Sequence, residues 1–378
     1  MSSRATALRP ETISAIASKW IPIESQKGLK MFMDKSILST TKGSARIEWI
    51  DWAKGWAILF VVIYHSLNSV HFANLFPEYQ YFTEWLIFIV ATFIMPVFFA
   101  LSGFVYQEAT SWPEYKKKML KRIASLGLPY IVFSLTYVFM QNLSPGNVTG
   151  GVYSWFSLLL IFSHPISYLW YLYALVLIYL FSGWLDLCKI KVEVQFIISL
   201  VLFLIASSII ELPMFLHMLF TWTITFNLGR LMKKYRNLFQ VKWFMAMLAI
   251  MLVSWVVQSQ LGVGNWYDTN GLTNVNFFSK MSSIPVFFYI LSNLKKNRLN
   301  DFFRKYGSDS LIIYLVHAPT VSVMRALLVK IGINNYLVMI ISVILLSWLI
   351  SIFACYLAKK IKAIEFIFYP LRYIHLPK

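Results

Sequence analysis

The feature of this chain that most limits its possible folds is a series of long apolar blocks. Each block carries little charge and has about 17 or more residues, enough for an α-helix to cross a hydrocarbon core of about 30 Å. Lipid offers the backbone no hydrogen-bond partners, so blocks of this length must be helical. Ten such spans are predicted, at residues 53–72, 85–106, 123–140, 166–185, 193–212, 214–232, 241–261, 277–294, 310–330 and 336–358.

The composition of the chain supports the same interpretation. Of its 378 residues, 58% are hydrophobic and only 13% are charged, whereas a soluble globular chain is about half apolar and about a quarter charged. A water-soluble particle of this size cannot hide so much apolar surface. The sequence therefore predicts an all-α fold, a polytopic membrane helical bundle of about ten transmembrane helices.

The placement of basic residues predicts how the bundle is oriented. Lys and Arg accumulate in cytoplasmic loops, and all but three of the 34 basic residues fall in the termini and the alternate connections on one side. The exceptions are Lys280, Arg325 and Lys330. This asymmetry predicts that both termini are cytoplasmic. It also explains the net charge of +18, so membrane lipid is an expected partner and nucleic acid is not.

The same blocks divide the chain into three segments. We predict a partly disordered cytoplasmic arm over residues 1–45, a transmembrane domain over 46–358 and a cytoplasmic tail over 359–378. A shorter apolar stretch at 154–163 cannot cross a membrane and is predicted to be interfacial or re-entrant. The two cysteines, Cys188 and Cys355, lack metal-ligand spacing, so no metal site is predicted.

Three ionisable residues, Asp51, Lys54 and His65, lie in or beside the first span. Such groups are costly in a membrane, so each is a functional hypothesis by default. Lys54 and His65 are almost three helical turns apart, which places them on one face with His65 about 16 Å deeper. An imidazole is well suited to take a proton from a hydroxyl. The alternative is that His65 only bonds a neighbouring helix.

The ninth span carries a second set, His317 and Arg325. The two residues lie within about 80° of each other around the helix. Arg325 breaks the charge asymmetry, which favours a functional or pairing role. For His317 two interpretations remain open, because a histidine so close to Pro319 can act in chemistry or can satisfy carbonyls that the proline frees.

The residues around these histidines resemble a known family. The stretch 46–55, continuing to His65, is similar to the opening of the acyltransferase family 3 membrane proteins, in which a basic residue and a histidine are separated by ten positions. Lys54 and His65 occupy those two positions. Four further stretches match in the same order, 96–104, 122–130, 169–172 and 314–317. The resemblance covers about residues 46–358.

The resemblance implies an integral membrane O-acyltransferase. It would move an acyl group, with acetyl as the first expectation, from cytoplasmic acyl-coenzyme A to a hydroxyl of a surface polysaccharide or a lipid-linked saccharide. Acetyl-CoA would be a co-substrate, and no permanently bound cofactor is expected. His65 would be the general base, with Lys54 orienting the donor and His317 as a further catalytic candidate. The implied location is a bacterial inner membrane.

The donor phosphates are expected to bind at the start of the third span. The family often has two arginines three residues apart there, but in this chain Arg122 is followed by Ser125. We therefore expect Arg122 to act with a neighbouring lysine, Lys121 or Lys118. Some members of the family carry an acidic residue just after the fourth-span tryptophan, whereas Leu175 and Val176 of this chain are apolar. This difference makes the chain more similar to the stand-alone sugar O-acetylases.

The main alternative function is a transporter or flippase for a lipid-linked saccharide. Such a protein would also be polytopic and carry intramembrane charges. Transporters usually have inverted halves with Gly- or Pro-interrupted spans at matching positions. The sequence has no visible symmetry of that kind, although Pro96 and Pro319 could each interrupt a helix.

Overall fold

In the computed structural model, residues 48–145, 151–209, 211–261, 266–267 and 271–374 are described. These residues form helices and no strand. Each predicted span coincides with one long helix, and two shorter helices, α9 and α12, are added. The helices are α1 Glu48–Phe72, α2 Gln80–Phe104, α3 Trp112–Leu143, α4 Trp170–Leu187, α5 Val192–Ser208, α6 Met214–Lys234, α7 Val241–Leu261, α8 Phe277–Asn293, α9 Arg298–Ser308, α10 Ser310–Lys330, α11 Tyr336–Lys360 and α12 Lys362–Phe368.

The length and apolarity of these helices confirm an all-α, polytopic membrane bundle. Among the described residues, seven helices are long and apolar enough to cross a membrane: α1, α2, α3, α4, α7, α10 and α11. Helix α5 is apolar but has only 17 residues, and α8 is equally short. Helix α6 is long enough but carries Arg230, Lys233 and Lys234. The count of ten spans therefore stays a prediction.

Two connections differ in detail from what the sequence predicts. Residues 107–122 connect the second and third predicted spans, and the sequence predicts a loop there. In the structure α3 begins at Trp112, so Lys118, Lys121 and Arg122 lie on a helix. Pro113 in the first turn favours this start, since its fixed φ suits a helix and its missing N–H is not needed there. The stretch 154–163 contains the short 3₁₀ helix Trp155–Leu160. The predicted arm at 1–45 lies outside the described residues.

Glycines bring two pairs of helices into backbone contact. A Cβ on Gly55 would lie 2.0 Å from the Phe303 carbonyl oxygen, and one on Gly307 would lie 1.7 Å from that of Asp51. Likewise, a Cβ on Gly103 would lie 1.9 Å from the carbonyl oxygen of Phe226. Small residues allow such close approach between membrane helices. They therefore fix α1 against α9, and α2 against α6.

One of the basic residues that breaks the charge asymmetry binds the backbone of α2 close to its proline. Pro96 has no N–H, so the carbonyl of Thr92 loses its usual helical donor. The Ser283 hydroxyl of α8 donates to that carbonyl at 3.3 Å. One turn earlier, Lys280 is buried and donates to the Ala91 carbonyl at 2.8 Å. The ammonium of Lys280 thus binds the α2 backbone one residue before the carbonyl that Pro96 frees, in an interior where lipid offers no alternative partner.

Candidate active site

The two histidines that the sequence singles out meet inside the bundle. His65 projects from α1 and His317 from α10, and their ring centroids are 4.8 Å apart at an interplanar angle of 59°. His317 is fully buried, whereas His65 is partly exposed. The structure therefore brings together two candidates that lie near opposite ends of the chain.

The hydrogen bonds of His317 define which of its nitrogens is available. Its Nδ1 lies 2.6 Å from the Tyr314 carbonyl oxygen and 3.2 Å from that of Ile313. Because a carbonyl can only accept, Nδ1 must carry the proton, and Nε2 of the neutral ring is then an acceptor. Nε2 is buried and has no hydrogen-bond partner among the described residues. It is thus a buried, unoccupied acceptor beside His65.

The carbonyl freed by Pro319 is satisfied by another residue. Pro319 removes the helical donor of the Leu315 carbonyl, four residues earlier. The phenol of Tyr168 donates to that carbonyl at 2.7 Å. His317 bonds the carbonyls of Tyr314 and Ile313 instead. The proline therefore does not account for the hydrogen bonds of His317, and a catalytic role for this residue stays a prediction.

Two tyrosines flank His317, and a third packs against one of them. The ring centroids of Tyr168 and Tyr314 lie 5.6 Å and 5.7 Å from that of His317, and the Tyr314 phenol donates to the backbone carbonyl of Tyr168. Tyr171 packs on Tyr314 at 5.4 Å, and its hydroxyl lies 3.3 Å from Ser102 Oγ. The sequence drew attention to 169–172 and 314–317 as motifs, but gave no signal that Tyr168 reaches α10.

The matched stretches of α2 and α4 meet next to these three tyrosines. Phe99 lies 4.8 Å from Tyr171, centroid to centroid, and stacks on Trp222 of α6 at 5.0 Å. Trp170 lies 5.4 Å from the same Trp222. The short motifs in α2, α4 and α10 therefore form one continuous aromatic wall, to which α6 adds a tryptophan that sequence reasoning missed.

Lys54 lies on the first helix but not at the histidine pair. It is partly exposed, and a rise of about 1.5 Å per residue places it about 16 Å from His65 along α1. Helix α9 covers this end of α1, where Trp56 Nε1 donates to Asn300 Oδ1 at 3.2 Å. Lys54 therefore cannot touch the atoms that His65 touches, and any role in the reaction must be at a more distant part of a substrate.

The three predicted donor-binding residues have separate surroundings. Lys118 pairs with Glu114 at 2.8 Å and donates to the Glu108 carbonyl at 2.7 Å. Arg122 lies over the ring of Tyr179, with its guanidinium carbon 4.5 Å from the centroid. Lys121 is exposed. Lys118 and Arg122 thus brace neighbouring parts of the protein, and the side chains do not converge on one pocket.

A buried ion-pair network lies at the predicted cytoplasmic end of α2, α4 and α6. The Arg230 guanidinium donates to Asp186 at 2.7 Å and to Glu108 at 2.8 Å, and to Gln195 Oε1 at 2.5 Å. The Tyr106 phenol donates to Asp186 at 2.8 Å. Burial raises the pKa of the Tyr106 phenol, and the negative charge of Asp186 raises it further. This phenol therefore stays protonated. In the sequence, Arg230 contributes only to the charge asymmetry that predicts the topology.

The arrangement at the histidine pair suits proton transfer in a water-poor interior. An imidazole can take a proton from a hydroxyl, and a second group bonded to its other nitrogen can orient it and stabilise the charge that forms. His65 is partly exposed, and His317 offers an acceptor nitrogen beside it. Among the described residues there is no cluster of His, Cys, Asp and Glu that could hold a metal.

Comparison with known proteins agrees with this chemistry. A family model described as an acyltransferase domain, that of acyltransferase family 3, matches residues 47–354. No curated protein and no solved structure matches the chain significantly. The matched range runs from the start of α1 into α11, which is most of the chain, and it favours catalysis over transport. The chain therefore belongs to acyltransferase family 3, and it is a multi-pass membrane acyltransferase.

Proposed function

We propose that this protein is an O-acyltransferase that acylates a saccharide of the cell surface. The donor is a cytoplasmic acyl-coenzyme A, with acetyl as the expected group. The acceptor is a hydroxyl of a surface polysaccharide or of a lipid-linked saccharide, and the enzyme resides in a bacterial inner membrane. In the reaction the thioester C–S bond breaks, an ester C–O bond forms, the hydroxyl proton leaves, and the coenzyme departs as a thiol.

The observation that carries this proposal is the approach of His65 to His317. Attack by a hydroxyl requires a base, and a partly exposed imidazole can reach a substrate that a buried one cannot. His65 is therefore the general base. Nε2 of His317 has no hydrogen-bond partner in the part of the chain that the structure describes, and we propose that during the reaction one nitrogen of His65 donates to it while the other faces the hydroxyl as an acceptor. His317 holds the ring of His65 and stabilises the imidazolium, as the third member of a catalytic triad does.

The remaining sequence-predicted residues act at the donor. Lys54 lies about 16 Å from His65, so it contacts the coenzyme rather than the reacting carbonyl. Arg122, Lys121 and Lys118 are basic residues on the first turns of α3, which the charge asymmetry places on the cytoplasmic side. They support donor binding on that side of the membrane, directly or by holding neighbouring groups in place.

The decisive experiment substitutes His65 in the purified protein, reconstituted in lipid with acetyl-CoA and a saccharide acceptor. His65→Ala should reduce acyl transfer by about a hundredfold or more, the usual contribution of a general base. His65→Gln should be equally inactive, since an amide can hydrogen-bond but cannot accept a proton near neutral pH. Thiol release measures the rate, and acetyl-CoA binding should be unchanged in both variants.

Two outcomes would count against the proposed roles. If His65→Gln retained nearly full activity, His65 would be structural and the base would have to be sought elsewhere, first at His317. If adding His317→Asn to His65→Gln caused a large further loss, the two histidines would not act as one unit, because the effects of residues that act together are not additive. Loss of surface-polysaccharide O-acetyl groups in cells lacking the protein would support the acceptor class.

A further inference from the structure

A cavity that is separate from the histidine pair lies at the end of the bundle that the charge asymmetry places in the cytoplasm. Its volume is about 650 Å³. Its walls come from the α2–α3 connection, the α4–α5 turn and the last turns of α6. Its lining includes Tyr106, Glu108, Asp186, Lys189, Lys191 and Lys233.

The inner wall of this cavity has its acidic groups already engaged. Glu108 and Asp186 both pair with the buried guanidinium of Arg230. Lys233 donates to the backbone carbonyl of Tyr106 at 2.6 Å. Arg230 and Lys233 together carry two positive charges against the two negative charges of these carboxylates, so the lysines at the opening give the cavity lining a net positive charge.

The lysines at the opening are available to a ligand. Lys189 and Lys191 are exposed, and within the part of the chain that the structure describes their ammonium groups make no hydrogen bond or ion pair. They are two residues apart in the α4–α5 turn, so one short segment presents both charges to the same cavity. The cavity lining is thus positive overall, and the one exposed carboxylate among its described residues, that of Glu108, is paired with Arg230.

The backbone at Lys189 supports a role for its side chain. Its φ is +57°, in the left-handed region where an L side chain has a conformational cost and glycine does not. The turn ends α4, with Lys189 N–H donating to the Asp186 carbonyl at 2.8 Å, a position where glycine is the usual residue. A lysine here gives the turn no stability that glycine would lack, but it does place a cation at the cavity.

The sequence-predicted donor residues lie behind the wall of the same cavity. Lys118 donates to the carbonyls of Gln107 and Glu108, at 3.5 Å and 2.7 Å. Arg122 lies over Tyr179, whose ring stacks on Tyr106 at 5.9 Å. Through these contacts both basic residues hold the segment that forms one side of the cavity.

We propose that this cavity binds the phosphate-bearing nucleotide end of acyl-coenzyme A, with Lys189 and Lys191 contacting its phosphates. Lysine ammonium groups bind phosphate as point charges. Lys118 and Arg122 are then positioning residues that hold the wall. This inference rests on the proposed function and names the donor subsite for it.

The distance to the histidines fits a donor with a long linear arm. Helix α4 runs from Asp186 at the cavity to Tyr171 beside the histidine pair, a rise of about 22 Å over its turns. A ligand held by its phosphates at one end needs an extended chain to bring a reacting carbonyl to the other. In acyl-coenzyme A the pantetheine arm separates the phosphates from the thioester in this way.

The test uses the full-length protein in neutral-lipid nanodiscs and the double variant Lys189→Gly with Lys191→Gln. The glycine removes a charge from a position that glycine prefers, so folding should be unaffected or improved. The Kd for coenzyme A and the KM for acetyl-CoA should rise about tenfold or more, as expected for the loss of charge-assisted hydrogen bonds. At saturating acetyl-CoA, kcat should be unchanged.

A matched control separates this subsite from general electrostatics. Lys295→Gln removes one charge on the same predicted side, at an exposed position outside the cavity, and should leave both constants unchanged. Adenosine 3′,5′-bisphosphate should compete with coenzyme A in the wild type and only weakly in the double variant. Should the double variant not be recovered, each single variant should show a smaller increase in the same direction.

Three results would overturn the proposal. The first is a double variant that binds coenzyme A as the wild type does. The second is a variant series in which only Arg122→Ala weakens binding. The third is a loss of binding when anionic lipid vesicles, but not adenosine 3′,5′-bisphosphate, are added, which would assign the lysines to lipid headgroups. A wild-type protein that neither binds nor uses acetyl-CoA would instead contradict the proposed function itself.

Discussion

At the scale of single residues, Tyr168 supplies a hydrogen bond that the backbone of α10 lacks. Pro319 leaves the Leu315 carbonyl without its helical donor, and the Tyr168 phenol supplies one at 2.7 Å. The bond is buried, where an unsatisfied carbonyl is costly. Tyr168 also lies against His317, so one side chain both repairs the backbone of α10 and borders the candidate catalytic pair.

Replacing that tyrosine by phenylalanine gives a prediction at this scale. Tyr168→Phe removes only the hydroxyl and leaves the Leu315 carbonyl unsatisfied, which should cost about 1–3 kcal/mol of stability. Thermal unfolding in detergent should shift to lower temperature, and kcat should fall with KM for acetyl-CoA unchanged, because the ring of His317 is less well held.

Tyr173→Phe provides a matched control on the same helix. The Tyr173 hydroxyl donates to the Phe162 carbonyl at 2.7 Å, but that bond is exposed, so water can replace it. Its loss should change neither unfolding temperature nor kcat by much. Equal effects in the two variants would mean that the Tyr168 hydroxyl has no special role at the site.

At the scale of helices, the contact between α1 and α9 fixes the inner half of the first span. Gly55 and Gly307 let the two backbones touch, and the Trp56 ring packs on that of Phe303 with centroids 4.0 Å apart and the planes tilted by 31°. Asn297 caps the start of α9, accepting from the Asn300 N–H at 2.7 Å. The short helix α9 therefore holds the part of α1 that carries Asp51 and Lys54.

Adding one methyl group to this contact should disrupt it. In Gly307→Ala the new Cβ would lie 1.7 Å from the Asp51 carbonyl oxygen, and backbone atoms cannot rotate away as a side chain can. Overpacking of this kind typically costs about 1–3 kcal/mol or more. We expect a lower unfolding temperature and reduced acyl transfer, since α1 must shift.

Gly127→Ala in α3 is the comparison variant for that substitution. There the new Cβ would meet only the Ile123 side chain, at an ordinary 3.8 Å, and alanine favours a helix over glycine by up to about 1 kcal/mol. Its stability should be equal to or greater than that of the wild type. Similar destabilisation in both variants would argue against the close α1–α9 contact.

For the whole molecule, the prediction is the orientation in the membrane. Ser111, at the start of α3, should be cytoplasmic and Val152 should be outside. In a protein whose exposed Cys188 is replaced by serine, an impermeant thiol reagent should label Val152→Cys in intact cells. It should label Ser111→Cys only after the membrane is opened. Labelling of both positions from the same side would contradict the topology.

The sequence by itself determined the class of the molecule and the directions of single helices. Apolar blocks must be helices because lipid leaves the backbone no other partners, and each predicted span is a helix in the structure. The helical period also fixes that Lys54 and His65 share a face. The sequence also contains a pattern that indicates α9, since Leu299, Phe302, Phe303 and Tyr306 recur at helical spacing. The basic residues around them indicate only a connection between spans.

Which helices are neighbours was decided by tertiary structure alone. The period of a helix gives the direction of a side chain but not the helix that it meets, because every lipid-compatible surface is equally apolar and neighbours are selected by close packing and buried polar bonds. The approach of His65 to His317, the bond from Tyr168 to Leu315 and the pairing of Arg230 with Asp186 all join distant parts of the chain. For the same reason, the sequence could nominate both histidines but could not bring them together.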